Sequence, residues 1–238
     1  MLNLGSVEDV LGKTIEPPEP ERVRLAIESL LMLGAMDQKQ NLSPLGRVLA
    51  QIPIEAAIGK LCLFGAFFKC LDSALTLAAV LTSRDPFMAP EMMKKQADSV
   101  KNSWAPLSFR SDPLAIVAAY RHWDGLVERR DDRSAHMFIQ DNFLNRTSLY
   151  SIKQLKTALL KSLEQTGIIA VSSGLAPTRF NRGNGFADQL NENGNSLPLL
   201  AALIAIASAP KFALQMGKQV QTAQDTVSEE QDDRGAMC

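Results

Sequence analysis

Residues 42–87 read LSPLGRVLAQIPIEAAIGKLCLFGAFFKCLDSALTLAAVLTSRDPF, and this run decides the fold. Ser43-Pro44 marks a helix start, because a serine hydroxyl can take a free first-turn amide and proline is preset for the first helical position. Leu45, Val48 and Leu49 give that short helix one buried face, and Ile52-Pro53-Ile54 then breaks the chain. From Glu55 to Leu71 the residues Ile58, Leu61, Cys62, Phe64, Gly65, Phe68 and Cys70 make a helix apolar almost all round, which predicts a central position. Gly59 and Gly65 each cost about 1 kcal/mol of helix stability against alanine, so a neighbour is expected to approach closely there. Asp72 is expected to cap a further helix, Ser73 to Leu81, which Arg84-Asp85-Pro86-Phe87 ends.

Upstream of this run, Val23, Ile27, Leu30, Leu31 and Leu33 recur at helical spacing, and Gly34 stands where a C-cap is needed. The polar stretch between Met36 and Leu42 fits a short β-hairpin or wing. Glu16-Pro17-Pro18-Glu19-Pro20 forces extended backbone, since proline fixes its own φ and biases the preceding residue away from helix; a boundary is placed there. Downstream, Glu91 to Trp104 reads as a charged helix. Ser111-Asp112-Pro113 opens a helix with Ile116, Tyr120, Trp123 and Val127 on one stripe. Glu128 to Arg133 reads as a solvated turn and His136 to Leu144 as another helix. Thr147 to Thr166 has the cleanest period, with Leu149, Ile152, Leu155, Leu159 and Leu163 on one face over a length of about 30 Å. The Gly- and Asn-rich stretch 172–196 reads as a flexible surface loop, Leu197 to Ala209 as a last apolar helix, and 219–238 as a disordered acidic tail.

With 238 residues, 46% hydrophobic and 21% charged, the chain has ample material for a core. A net charge of -1 supplies no global attraction to nucleic acid or an anionic membrane, so such binding requires a local patch. Three cysteines suit a reducing compartment, and Cys62 and Cys70, eight residues apart in one expected helix, read as core thiols. His122 and His136 lack cysteine or carboxylate neighbours at ligand spacing, so no metal is expected. No secretory signal or membrane span is legible, and the chain reads as intracellular, cytoplasmic or nuclear. The motifs for a phosphate-binding loop, a dinucleotide fold, a zinc protease and a nucleophile elbow are all missing. Asp85, Asp112 and Asp124 read as turn and cap residues. Residue types alone describe a helical binding or scaffolding unit.

Named residues go further. Pro17-Pro18, Ala26-Ile27-x-x-Leu30, Leu33-Gly34-Ala35-Met36-Asp37, Leu42-Ser43-Pro44-Leu45-Gly46-Arg47, Ile52-Pro53, Gly59-Lys60-x-x-x-Phe64-Gly65, Cys70-Leu71-Asp72 and Ser83-Arg84-Asp85-Pro86-Phe87 follow one another in order. With Ser111-Asp112, Asn142-Phe143-Leu144, Arg146 and Leu203 to Pro210, they resemble the helicase-associated region of DEAH/RHA-type (DExH-box) RNA helicases. The Cys-Leu-Asp and Arg-Asp-Pro-Phe blocks resemble the subgroup that acts on structured RNA and in translation. Glu55-Ala56-Ala57 departs from the family's Asp-Pro-Arg, Pro113 from a histidine, and Ala209-Pro210-Lys211 from Tyr-Pro-Asn.

The resemblance implies a mainly α chain, a winged-helix domain followed by a helical-bundle (ratchet) domain, with at most a short β-hairpin wing. Residues 1–15 would trail from a RecA-like domain, 16–70 form the winged helix and 71–218 the ratchet. The chain would start just after the second motor domain and stop before, or without, a C-terminal OB-fold. ATP and Mg2+ would belong to the motor domains, this chain needing no cofactor and hydrolysing no ATP itself. Implied partners are single-stranded RNA, the RecA-like motor domains of the same helicase, and an OB-fold or protein activator, with no membrane. The alternative is a stand-alone winged-helix adaptor for nucleic acid or protein. Implied RNA-binding residues are Ser111, Asp112, Asn142, Arg146 and Lys153, which suit contacts to phosphate and sugar. Four have a structural alternative, Ser111 and Asp112 as caps, Asn142 as a buried amide and Arg146 in a surface ion pair, and Lys153 is the weaker candidate.

Overall fold

Proline and glycine set the first boundaries. The computed structural model describes residues 7–169 and 189–209, together with the backbone of 213–216 and 219–222. A short helix α1 (Val7–Leu11) precedes the proline run. Helix α2 (Pro20–Leu33) begins on proline and closes at Gly34, whose φ of 78° is the left-handed turn that returns the Ala35 amide to the Leu30 carbonyl. Met36 and Leu42 then meet in one antiparallel bridge, while Asp37 accepts from the amides of Lys39 and Asn41. The expected wing is therefore a turn held by a carboxylate, with a single bridge in place of a ladder.

Helix α3 (Pro44–Leu49) has the cap its sequence predicts: Ser43 Oγ accepts from the Gly46 amide at 3.0 Å and donates to the Gly34 carbonyl at 2.7 Å. Helices α4 (Ala56–Phe67) and α5 (Leu71–Thr82) join at a tight corner, Phe68 to Cys70, with Lys69 at a φ of 54°. Expected with the winged helix, α4 packs chiefly on α5 and on α10 (Leu197–Ser208), and less on α2 and α3. A helix apolar almost all round needs cover over most of its surface, and the bundle supplies it, with Phe67 at its end left 72% exposed.

The rest of the bundle is a 3-10 turn (Glu91–Met93), α6 (Lys94–Trp104), α7 (Asp112–Glu128), α8 (Asp132–Asp141) and α9 (Arg146–Gln165). Helix α5 is the axis: α4, α7, α9 and α10 all pack on it, and it is buried from Ser73 to Val80. Around it lie Trp123, Leu149, Ile152, Leu159 and Leu203, each less than 2% exposed. The fold is mainly helical, as the resemblance implies.

Several local readings change. Asp72 does not cap α5; it lies in the first turn and pairs with Lys156 of α9 at 2.6 Å. Cys62 and Cys70 sit on either side of the corner, not in one helix, and both thiols are free and buried. Burial pushes the Cys62 thiol up to about 12 and raises that of Cys70, so neither offers a reactive thiolate near neutrality. Of the expected flexible loop 172–196, residues 189–196 are fastened by hydrogen bonds to the α4–α5 corner. Residues 170–188 lie outside the described residues. Of the expected disordered tail, Gln219–Thr222 forms a strand (β2) paired antiparallel with Ala213–Met216 (β1), while 223–238 lie outside the described residues.

Candidate nucleic-acid interface

One end of the bundle gathers most of the expected site. The turn after α5 runs into the α8–α9 turn: Met88 N donates to Phe143 O and Asn145 N to Pro86 O, both at 2.7 Å, and Phe87 bridges Leu144. These bonds hold Phe143 at a φ of 54°, a left-handed conformation that bulky residues adopt rarely and keep only when the surroundings impose it. The same turn reaches the start of α7 through Lys101 of α6. Its ammonium lies 2.7 Å from both Asp85 and Asp112. Burial alone would lower its pKa, but the hydrogen bonds to Asp112 and Asp85 outweigh that and raise it.

Each expected residue can now be placed. Ser111 stands at the N-cap of α7, yet its side chain makes no cap hydrogen bond. Asp112 is 72% exposed and held by Lys101. Asn142 is committed to the fold: Oδ1 accepts from Trp104 Nε1 at 2.8 Å and Nδ2 donates to Phe138 O at 2.9 Å. That leaves its amide little capacity for RNA, so the structural alternative describes its contacts better. Arg146 is exposed at the first position of α9, its guanidinium 5.5 Å from the centre of the Tyr150 ring, with no carboxylate in ion-pair range among the described residues. The surface ion pair is thus not made. Lys153 stands two turns further along α9, paired with Asp124 at 2.6 Å and set against the Trp123 ring. It belongs to a seam between α7 and α9, away from the end where the other four meet.

Sequence reasoning missed the connectors. Lys101 and Trp104 carry the contacts that hold the end together, but a lysine on a charged helix and an aromatic at its last turn look like surface and core. It also missed the seam, where Lys156 pairs with Asp72 near the Tyr120 ring and Arg121 donates to Ser73 Oγ and to Gly194 O. Burial, and after it the field of Asp124 and Asp72, holds the Tyr120 phenol protonated well above its ordinary range. Burial also lowers the Arg121 pKa, against the field of Asp72. The signal in the sequence was spacing: Lys153 and Lys156 on α9 fall one helical turn apart, as do Tyr120 and Asp124 on α7. Among the described residues no His, Cys, Asp and Glu side chains cluster in the manner of a metal site.

Replacing Lys101 by methionine removes the bridge and leaves two carboxylates facing each other. Both acids are more than a third exposed, so water screens much of the loss. The expected cost is about 1 kcal/mol, read as a lower denaturation midpoint at unchanged m-value.

An axial helix α5 ringed by bundle helices, preceded by a small helical unit with a one-bridge wing, is consistent with the winged helix and helical ratchet that the resemblance implies. Residues 26–54 match the family model for the winged-helix part of the helicase-associated domain (HA2), and residues 55–146 match its ratchet-like part. The chain belongs to the helicase-associated (HA2) region of the DExH-box RNA helicases. It is similar to mouse ATP-dependent RNA helicase DHX29, 40% identical over 69% of this chain and 12% of that protein. It is 33% identical to rat ATP-dependent DNA/RNA helicase DHX36 over 92% of this chain and 21% of that protein. It is 34% identical to the Arabidopsis thaliana DExH-box ATP-dependent RNA helicase DExH3 over 71% of this chain and 14% of that protein. The chain thus spans only 12 to 21% of the length of these relatives. The two family models meet between Ile54 and Glu55, which places α4 with the ratchet part, in keeping with its packing on α5.

Proposed function

We propose that this chain is an accessory unit of an ATP-dependent RNA helicase that helps enclose single-stranded RNA and couples motor-domain movement to translocation and unwinding. The observation that carries this reading is Arg146, exposed at the start of α9, set over the Tyr150 ring and unpaired with any carboxylate among the described residues. A guanidinium in that state takes phosphate or sugar oxygens without reading sequence. The first-turn amides of α9 add partial positive charge beside it. Ser111 keeps a hydroxyl not used in capping, and Asp112, steadied by Lys101, can accept from a ribose 2′-hydroxyl. Asn142 acts through Trp104 and the backbone, shaping the turn, and Lys153 is the weakest of the five because Asp124 already holds it.

In this reading ATP and Mg2+ act on RecA-like motor domains of the same helicase, the immediate partners of this chain, with an OB-fold or a protein activator beyond them. The purified chain is expected to show no ATPase activity. The setting is intracellular, in cytoplasm or nucleus. Among the described residues no helix is long and apolar enough to cross a membrane.

The test is a titration with single-stranded RNA and with duplex DNA at several salt concentrations. Weak single-strand binding is expected. Arg146→Ala should weaken it and reduce the slope of log K against log salt by about 0.7, the share of one phosphate contact on a single strand. An unchanged slope removes Arg146 from the interface. Preference for duplex DNA would point instead to a winged-helix adaptor, although α3 offers only Arg47, whose guanidinium already donates to Leu42 O at 3.5 Å.

A further inference from the structure

The α4–α5 corner is held from outside. The residue at the N-cap of α5 is Cys70, whose side chain makes no cap hydrogen bond. The start of α5 is also closed to solvent, with Cys70 and Leu71 at 0% exposure and Ser73 at 1%, although Phe68 and Lys69 on the outside of the corner are exposed. Water therefore cannot serve the first amides of α5, and another part of the chain must.

Residues 189–196 supply those bonds. Leu71 N donates to Leu190 O at 3.1 Å, and Asp72 N donates to Asn191 Oδ1 at 2.6 Å, across 119 positions of sequence. The same segment grips the end of α4: Asn193 N donates to Lys69 O at 2.8 Å, Asn193 Nδ2 to Phe68 O at 2.9 Å, and Glu192 pairs with Lys69 at 2.7 Å. Gly194 O receives Ser73 Oγ at 2.6 Å and, from a third element, the Arg121 guanidinium of α7 at 3.2 Å. Two amides of α5, two carbonyls of the corner and one arginine of α7 thus converge on eight consecutive residues.

The attachment is almost wholly polar. Leu190 is the one apolar side chain of the segment and is only partly buried against the core, while Glu192, Asn193 and Asn195 are exposed. A segment held by hydrogen bonds over little buried apolar surface opens locally, at lower free energy than the core beneath it. The corner it holds is itself constrained, because Lys69 sits in the left-handed region at a φ of 54° without being glycine. That turn is closed by α4's own bonds, Cys70 N to Gly65 O at 2.9 Å and Lys69 N to Ala66 O at 3.3 Å, and the segment steadies it through the Phe68 and Lys69 carbonyls.

We propose that residues 189–196 form a detachable clasp that caps α5 from a distant stretch of the same chain and steadies the α4–α5 corner. Its release loosens the corner between α4 and α5, within the ratchet part, and the bundle itself stays folded. The clasp is independent of the RNA-binding assignment, and it is tested on the chain alone, so failure of one leaves the other standing.

The two asparagines act by opposite chemistry: Asn191 supplies an oxygen to an amide and Asn193 a nitrogen to a carbonyl. Hydrogen–deuterium exchange on the full chain separates their roles. Asn191→Ala is expected to speed exchange of the Leu71 and Asp72 amides at least tenfold. Asn193→Asp, which turns a donor into a carboxylate facing Phe68 O, is expected to do the same. Glu192→Gln touches only an exposed ion pair and should leave these amides within about twofold of wild type. The amides of Leu159 and Leu163 in α9 should keep wild-type rates throughout. In the unmodified chain, the corner amides should exchange through an opening that depends little on denaturant, while those of α9 follow global unfolding. Corner amides unmoved by both asparagine variants overturn the proposal, and so does equal acceleration of corner and α9. Corner amides of the unmodified chain that track global unfolding overturn it without any variant.

Discussion

Gly65→Ala is expected to lower the stability of the chain by about 3 kcal/mol, at the upper end of what overpacking usually costs. A Cβ at this position would lie 2.2 Å from the Cβ of Ala74, where α4 crosses α5. Neither atom can rotate away, because each is fixed to its own helix backbone, so the two helices must part. Parting them also strains the corner at Lys69 and the capping contacts around it. Chemical denaturation at equilibrium checks this, with a lower midpoint at constant m-value as the expected result. The control is Gly125→Ala in α7, where nothing lies within 4 Å of the added methyl. There alanine removes the helix penalty of glycine and should stabilise by about 0.5–1 kcal/mol. If both substitutions shifted the midpoint alike, close packing would not be the reason for Gly65.

Trp123→Ala is expected to cost about 3–5 kcal/mol, the range for emptying a buried aromatic site. Trp123 is 1% exposed and ranks among the largest fully buried side chains, so the cavity cannot fill by collapse of one neighbour. Its ring also carries the candidate interface at second hand. The Tyr150 ring stands edge-on to it at 5.0 Å, and Arg146 lies over Tyr150. Lys153 rests beside the Trp123 ring while it pairs with Asp124. Loss of the indole should therefore loosen Arg146 as well as the core. Trp123→Phe keeps a ring under Tyr150, and it should retain more than half of the lost stability together with the RNA affinity of the parent. RNA affinity unchanged in a folded Trp123→Ala protein would show that Arg146 needs no such support.

The contacts of the candidate site explain why only part of it could be read in advance. Ser111, Asp112, Asn142 and Arg146 were legible as a set because they lie in short blocks whose order resembles one family, and the structure brings them to one end of the bundle. Their division of labour was not legible. Asn142 is spent on Trp104, 38 positions away, and on its own helix at Phe138. Lys153 is spent on Asp124, 29 positions away. An exposed-looking amide or lysine carries no mark in the sequence of the partner that will occupy it.

Whatever depends on neighbours a few residues apart was determined by the sequence itself. Ser43-Pro44 starts α3, Gly34 ends α2, the leucine period makes α9, and the glycines of α4 announce close contact, because capping, backbone preference and helical periodicity are local physics. What only the tertiary structure decided depends on groups meeting across the chain. Asp72, read as a cap, is an ion-pair partner of Lys156, and the cap it was expected to provide comes from Asn191 instead. A buried amide needs an acceptor, but its desolvation cost is the same whichever residue provides one. The choice of Asn191, 119 positions on, was made by the packing of α10 and α7 around α5.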